Sequence, residues 1–185
     1  GGQNGSVVTF NSGEDLSALL TNFTIQNGIG GGYGGGLNVS DSSPTITECI
    51  IRNNTAQSEG GGGYFYRSNS RIINCDFSFN NAGNGGGGLM IKDYSNLYLS
   101  DNIFSNNSAY NAGGIFIAQD SNPIFEDCII SNNIAEYGGG GFKIESACHP
   151  IIRNCLIANN QSLEAIYVGG GGFYLTNSNL DLTNC

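Results

Sequence analysis

The chain has no tryptophan, one methionine, one histidine and three prolines in 185 residues, and only six lysines and arginines against fifteen acids. A lone imidazole, His149, leaves almost no material for a Ser-His-Asp triad or a histidine-held metal. The six cations, Arg52, Arg67, Arg71, Lys92, Lys143 and Arg153, are scattered and the formal net charge is −9, so the surface cannot neutralise a phosphate backbone. Nucleic acid is not an expected partner. No apolar run approaches the ~18 residues of a membrane-spanning helix, and Gly1 opens without a basic or apolar leader. The segment is read as mature and not membrane-spanning. Good helix formers are thinly supplied outside Glu14–Leu20, and no Cys-x-x-Cys spacing suggests zinc.

What is abundant is glycine, at 30 positions or roughly double the ~7% of average proteins, together with 26 asparagines. Hydrophobic residues at 39%, in short runs, argue for a buried core rather than a disordered glycine linker. These residues recur as a block. It reads Gly-Gly-apolar-x-apolar, a polar turn, then apolar-x-x-Cys-x-apolar-x-Asn-Asn. The glycine before the first apolar residue falls at Gly36, Gly63, Gly88, Gly114, Gly141 and Gly172, in steps of 27, 25, 26, 27 and 31. The last step holds an insertion, Ser162–Val168. A degenerate earlier copy ends at Asn27-Gly28, with Phe23 where later copies place cysteine.

Apolar alternation of period two, as in Gly114-Ile115-Phe116-Ile117, marks strands, and three strand-sized pieces fit each copy. The expected fold is all-β: a right-handed, single-stranded parallel β-helix solenoid of about seven coils of roughly 25–27 residues, residue 1 to residue 185 forming one domain. Residues 1–34 are read as a partial first coil in which Glu14–Leu20 is a candidate cap, and residues 35–185 as regular coils. Leucine-rich repeats have a similar period but need a leucine scaffold, and glycine dominates here. On the first face the inward columns are read as Leu37, Tyr64, Leu89, Ile115, Phe142, Phe173 and Val39, Tyr66, Ile91, Ile117, Ile144, Leu175. The second face brings in Ile46, Ile72, Leu99, Phe125, Ile152 and Leu182.

Because equivalent residues stack about 4.8 Å apart, each column becomes a ladder. Asn54, Asn80, Asn107, Asn133 and Asn160 are expected to bond side chain to side chain at a tight turn, where asparagine also tolerates left-handed φ. Cys49, Cys75, Cys128, Cys155 and Cys185 form a second column with Asn102 in the missing rung, read as a mostly reduced, buried stack. Cys148 lies outside it, in a turn aligned with Ser42, where exposure to oxidation is expected. Phe65, Met90, Phe116 and Tyr174 read as an outward apolar stripe and candidate interface, and Ile50, Ile103, Ile129 and Leu156 as a second stripe or a corner turned inward.

The acidic and amide column Glu48, Asn74, Asp101, Asp127, Asn154, Asn184 could supply paired carboxylates to a glycoside hydrolase, and a solvated edge explains it equally well. No turn concentrates three carboxylates, so no cofactor is expected and calcium is a minor alternative. Asn38, Asn4, Asn22, Asn53, Asn106 and Asn160 each open an Asn-x-Ser/Thr acceptor pattern, with Asn38 expected outward on the first face.

The segments Gly36-Leu37, Ser43–Cys49 and Ile50–Asn54 resemble the right-handed β-helix repeats of polymorphic outer membrane proteins, a type of autotransporter passenger. Phe77–Asn80 and Phe104–Asn107 carry that family's Phe-x-x-Asn mark, while the alanine of its Gly-Gly-Ala-Ile mark is replaced by Leu, Tyr, Ile or Phe. The resemblance implies an extracellular or cell-surface passenger used in adhesion or surface architecture. The alternative on the same fold is a polysaccharide-active enzyme, lyase or hydrolase, or a glycan-binding module. Self-association, end to end or lateral, is the expected partnership, motivated by the uncapped last copy and the apolar stripe, with surface glycans as further candidate partners.

Overall fold

The computed structural model describes residues 5–163 and 169–185 and contains seven coils of parallel strands. The first face is a seven-stranded sheet running from Val8–Phe10 through Leu37–Ser40, Gly63–Tyr66, Leu89–Lys92, Ile115–Ala118 and Phe142–Glu145 to Phe173–Thr176. The second, also of seven strands, starts at Leu19–Thr21 and ends at Asp181–Thr183. A third face of six strands runs from Thr24–Gln26 to Leu156–Ala158.

Six of the seven coils have a fourth face, not the three expected. It is a six-stranded sheet of two-residue strands such as Thr55–Ala56 and Asn81–Ala82. Two residues are too few to show an alternation, which is why the sequence pattern concealed it. Their inward positions are small, Ala56, Ala82, Ala109 and Ala135, because the glycine-rich turn closes tightly behind them. In that turn Gly60 holds φ +73°, and a Cβ on Gly87 would lie 2.4 Å from the Gly113 carbonyl oxygen of the next coil. One glycine is needed for its dihedral and the next for close approach.

The first-face register corrects the sequence reading at one coil. Leu37 pairs with Gly63 and Val39 with Phe65, so Phe65 points inward and is fully buried, whereas Tyr64 and Tyr66 point outward. The glycine equivalent to Gly36 is Gly62, and the uneven steps of 27 and 25 become 26 and 26. The run Gly60–Gly63 is one glycine longer than the turn requires. Gly63 occupies a core position, and the Phe65 ring lies over it, within 3.0 Å of where a Cβ would stand.

Inside, Phe77 stacks on Phe104 at 5.0 Å between ring centres and Phe142 on Phe173 at 5.1 Å, while Phe125 meets Phe142 edge-on. The Glu14–Leu20 stretch is no helical cap. Asp15 accepts from the Ser17 amide at 2.8 Å to make a turn, and Leu19–Thr21 is already the second-face strand of the first coil. No helix long and apolar enough to cross a membrane occurs among the described residues.

Candidate ligand groove on the first face

The corner columns serve the backbone. Asn80 Oδ1 accepts from both the amide and Nδ2 of Asn54, at 3.0 and 3.1 Å, and the pattern repeats through Asn107 and Asn133 to Asn160. Each Nδ2 also donates to a carbonyl one coil back, as Asn107 does to Phe77 at 2.8 Å. The left-handed residues are the ones before the ladder, Asn53, Phe79, Asn106 and Asn132, and not the ladder asparagines. A second left-handed column is Glu48, Asn74, Asp101, Asp127, Asn154 and Asn184. The acidic edge weighed as a hydrolase pair is thus a corner where Asp and Asn tolerate positive φ.

The cysteine column copies the asparagine one. The Cys49 amide meets Cys75 Sγ at 3.5 Å, the Cys75 amide donates to Asn102 Oδ1 at 2.9 Å, and Asn102 Nδ2 donates to the Ile72 carbonyl at 2.8 Å. All six thiols are free, and Cys185 alone is exposed. Cys148 is buried rather than exposed, since it stands as a rung in an inward serine ladder, taking the Ser121 amide on Sγ at 3.3 Å and donating its own amide to Ser178. Oxygen is the stronger acceptor, as the 2.9 Å bond to Asn102 against the 3.5 Å contact with Cys75 illustrates, so Cys128→Asn is expected to raise stability by about 1 kcal/mol in urea unfolding, and a loss of stability would contradict this account.

Met90 and Phe116 are outward on the first face yet buried, so the stripe expected to be exposed is covered by the chain itself. The outward column runs Asn38, Tyr64, Met90, Phe116, Lys143, Tyr174, and its neighbour Ser40, Tyr66, Lys92, Ala118, then Glu145 and Thr176. Along one side the glycine turns rise as a wall. Tyr33 stacks on Tyr64 with ring centres 4.7 Å apart, and Gly85 leaves room for Phe116, whose ring carbon is 2.4 Å from where a Cβ would stand. On the third face Ile50, Ile103, Ile129 and Leu156 do face solvent, interrupted by Asp76.

The groove carries ion pairs. Lys92 Nζ lies 3.2 Å from Glu59 Oε2, and Lys143 Nζ 3.1 Å from both Glu145 Oε2 and Asn111 Oδ1. Lys143 also sits 4.7 Å above the Phe116 ring, with its side chain only 11% exposed. Asn111 Nδ2 donates to Asn84 Oδ1. On the opposite rim Asp93 takes the Tyr66 hydroxyl and Arg67 at 2.6 Å, and both hold its carboxyl below the ordinary range. Burial, with Glu59 beside it, pushes the Tyr64 hydroxyl well above its usual value. Between Glu59, Lys92, Asn111, Lys143 and Glu145 is a hollow of about 200 Å³. Spacing could not have announced the groove, because Glu59, Lys92 and Lys143 come from different coils and only the register brings them together.

Of the acceptor asparagines, Asn22, Asn53 and Asn106 are exposed and left-handed, Asn38 is half-buried, and Asn4 lies outside the described residues. The Asn160 amide is committed to the ladder. The Ser162–Val168 insertion is described only to Leu163. Among the described residues no group of three or more His, Cys, Asp or Glu is arranged to hold a metal.

Compared with known proteins, the chain matches the family model described as right handed beta helix region over residues 2–108 and 35–185. No curated protein and no solved structure matches it. Parallel coils, in-register ladders and a family match reaching from residue 2 to residue 185 make this chain a member of the right-handed β-helix family.

Proposed function

We propose that the chain is a non-catalytic adhesive and structural solenoid at the cell surface or outside the cell, which lays an extended glycan along its first-face groove. The observation that carries this reading is the groove itself: outward sheet positions hold aromatic rings, two half- to fully buried lysines and fixed amides where a plain stalk would carry small solvated side chains. The buried Glu59 and the half-buried Glu145 and Glu126 are each tied to a cation, Glu126 to Arg153 at 2.6 Å, which suits a binding surface better than acid and base chemistry. The Phe-x-x-Asn and Gly-Gly segments support the surface-passenger side of the reading. Self-association, end to end or lateral, into fibres or sheaths belongs to the same reading.

The test is incubation with a panel of neutral and acidic polysaccharides. Retention of at least one polymer without release of reducing ends or unsaturated products is the expected result. Product release would move the chain to the polysaccharide-active alternative, and absence of retention across the panel would remove the adhesive reading.

A further inference from the structure

One rung of the groove is missing a side chain. The outward column that carries Tyr66, Lys92 and Glu145 places Ala118 between the lysine and the glutamate, so large side chains flank a methyl group across two strand spacings, about 9–10 Å. The hollow of about 200 Å³ lies over this gap. Its floor, Met90, Phe116 and Ala118, is almost fully covered by neighbouring side chains, so the surface the hollow presents is mostly polar. Its walls are polar and internally neutral, with Lys92 bound to Glu59 and Lys143 to Glu145.

We propose that this hollow is a subsite for one neutral pyranose ring of a polysaccharide. The proposal rests on the glycan reading of the groove and narrows it. Size is the first argument: sites for drug-sized ligands run to about 300–1,000 Å³, and this one is on the scale of a single sugar ring. Charge is the second. A uronate carboxylate joining either ion pair would stand beside Glu59 or Glu145 and leave two carboxylates sharing one ammonium, a net negative charge in a poorly solvated site. The net charge of −9 adds repulsion of polyanions at longer range. A hydroxyl is donor and acceptor at once, so a neutral ring can join both ion pairs and the Asn84–Asn111 amides without breaking any of them. An extended peptide fits less well, because the backbone groups of the first sheet are paired from coil to coil and offer a strand nothing to bond.

The chain supplies its own probe, since Met90 is its one methionine and forms part of the floor. Protein carrying 13C at the methionine methyl is titrated with gluco-, manno- and galacto-configured neutral tetrasaccharides and with tetragalacturonate. At least one neutral sugar is expected to shift the single methyl resonance in a saturable way, and tetragalacturonate to act at least ten-fold more weakly. Ala118→Leu fills the gap and is expected to weaken the response ten-fold or more with an unchanged circular dichroism spectrum. If that variant misfolds, the wild-type titration decides alone. An unmoved Met90 methyl in protein that still retains a polysaccharide overturns the subsite and leaves the groove reading standing, whereas loss of all retention removes both. Tighter response to tetragalacturonate, or an Ala118→Leu variant that folds and binds as wild type, also overturns it.

Discussion

Asn107→Leu is expected to cost about 3–6 kcal/mol and to lower the melting temperature by more than about 10 °C. The replacement has nearly the same shape, so the loss is not a matter of packing. Asn107 Oδ1 accepts from the Asn80 amide at 2.9 Å and from Asn80 Nδ2 at 3.1 Å, while its own Nδ2 donates to the Phe77 carbonyl and to Asn133 Oδ1 at 3.0 Å. All these partners are buried in a corner that water does not reach. Leucine orphans the Asn80 amide outright and takes the side-chain donor from the Phe77 carbonyl, and an unmet buried group costs about 1–3 kcal/mol. In a stack where each coil touches only its neighbours, that break also uncouples the coils on either side. Ser105→Ala, half-buried two residues earlier in the same coil, is the control and should stay within about 0.5 kcal/mol. Urea unfolding measures both, and a cost below about 1 kcal/mol for Asn107→Leu would show that the ladder is decorative.

The second large effect is alkaline. Burial pushes the Cys75 thiol up to about 12 and the Cys148 thiol up to about 11, from an ordinary value of 9.0. The hydrogen bond shared by Cys128 and Cys155 raises the first thiol and lowers the second, so the alkaline loss expected here rests on Cys75 and Cys148. For a raised value the sign is fixed: below pH 9 both folded and unfolded thiols keep their protons, and stability is fully present. Above pH 9 only the unfolded chain gives up its protons, so stability falls until the folded thiols titrate near pH 11 to 12. The shifts correspond to about 4 kcal/mol for Cys75 and about 3 kcal/mol for Cys148 at order of magnitude. Tyr64, also raised, steepens the fall from its ordinary value of 10.0 upward. The urea midpoint is therefore expected to be level from pH 7 to 9 and to collapse by pH 12. Cys75→Ser removes one share of the titration, so its midpoint should decline less steeply. Identical slopes for wild type and Cys75→Ser would refute the buried-thiol explanation.

The coil count and most inward columns were legible because a stacked fold repeats its demands once per coil. Ile51, Phe77, Phe104 and Ile130 meet the same neighbours, so they are chosen alike. Legibility failed where a demand was local. Phe65 was misread because one surplus glycine shifts the visible landmark by a residue, and a shift of one exchanges inside for outside. Cys148 was misread because its turn looked like surface, while its serine equivalents Ser68, Ser95 and Ser121 point inward, and Ser95 and Ser121 cap amides of the preceding coil. The groove was only half visible. Its aromatic column could be read, but its ion pairs depend on which turn residue leans over which rung, and nothing periodic encodes that.

The fixed rung spacing makes the first face a graduated scale. Its outward residues stand about 4.8 Å apart, a step set by backbone hydrogen bonding that side-chain changes cannot alter. A polymer laid along it has a repeat of its own. If the two differ by even a tenth, about 0.5 Å per unit, then after five units the polymer is half a rung out of phase. Equivalent rungs then face inequivalent atoms, as on a vernier. A long chain of identical binding rungs would therefore gain little from its length, and discrimination must be concentrated where one rung departs from its neighbours, as Ala118 does between Lys92 and Glu145.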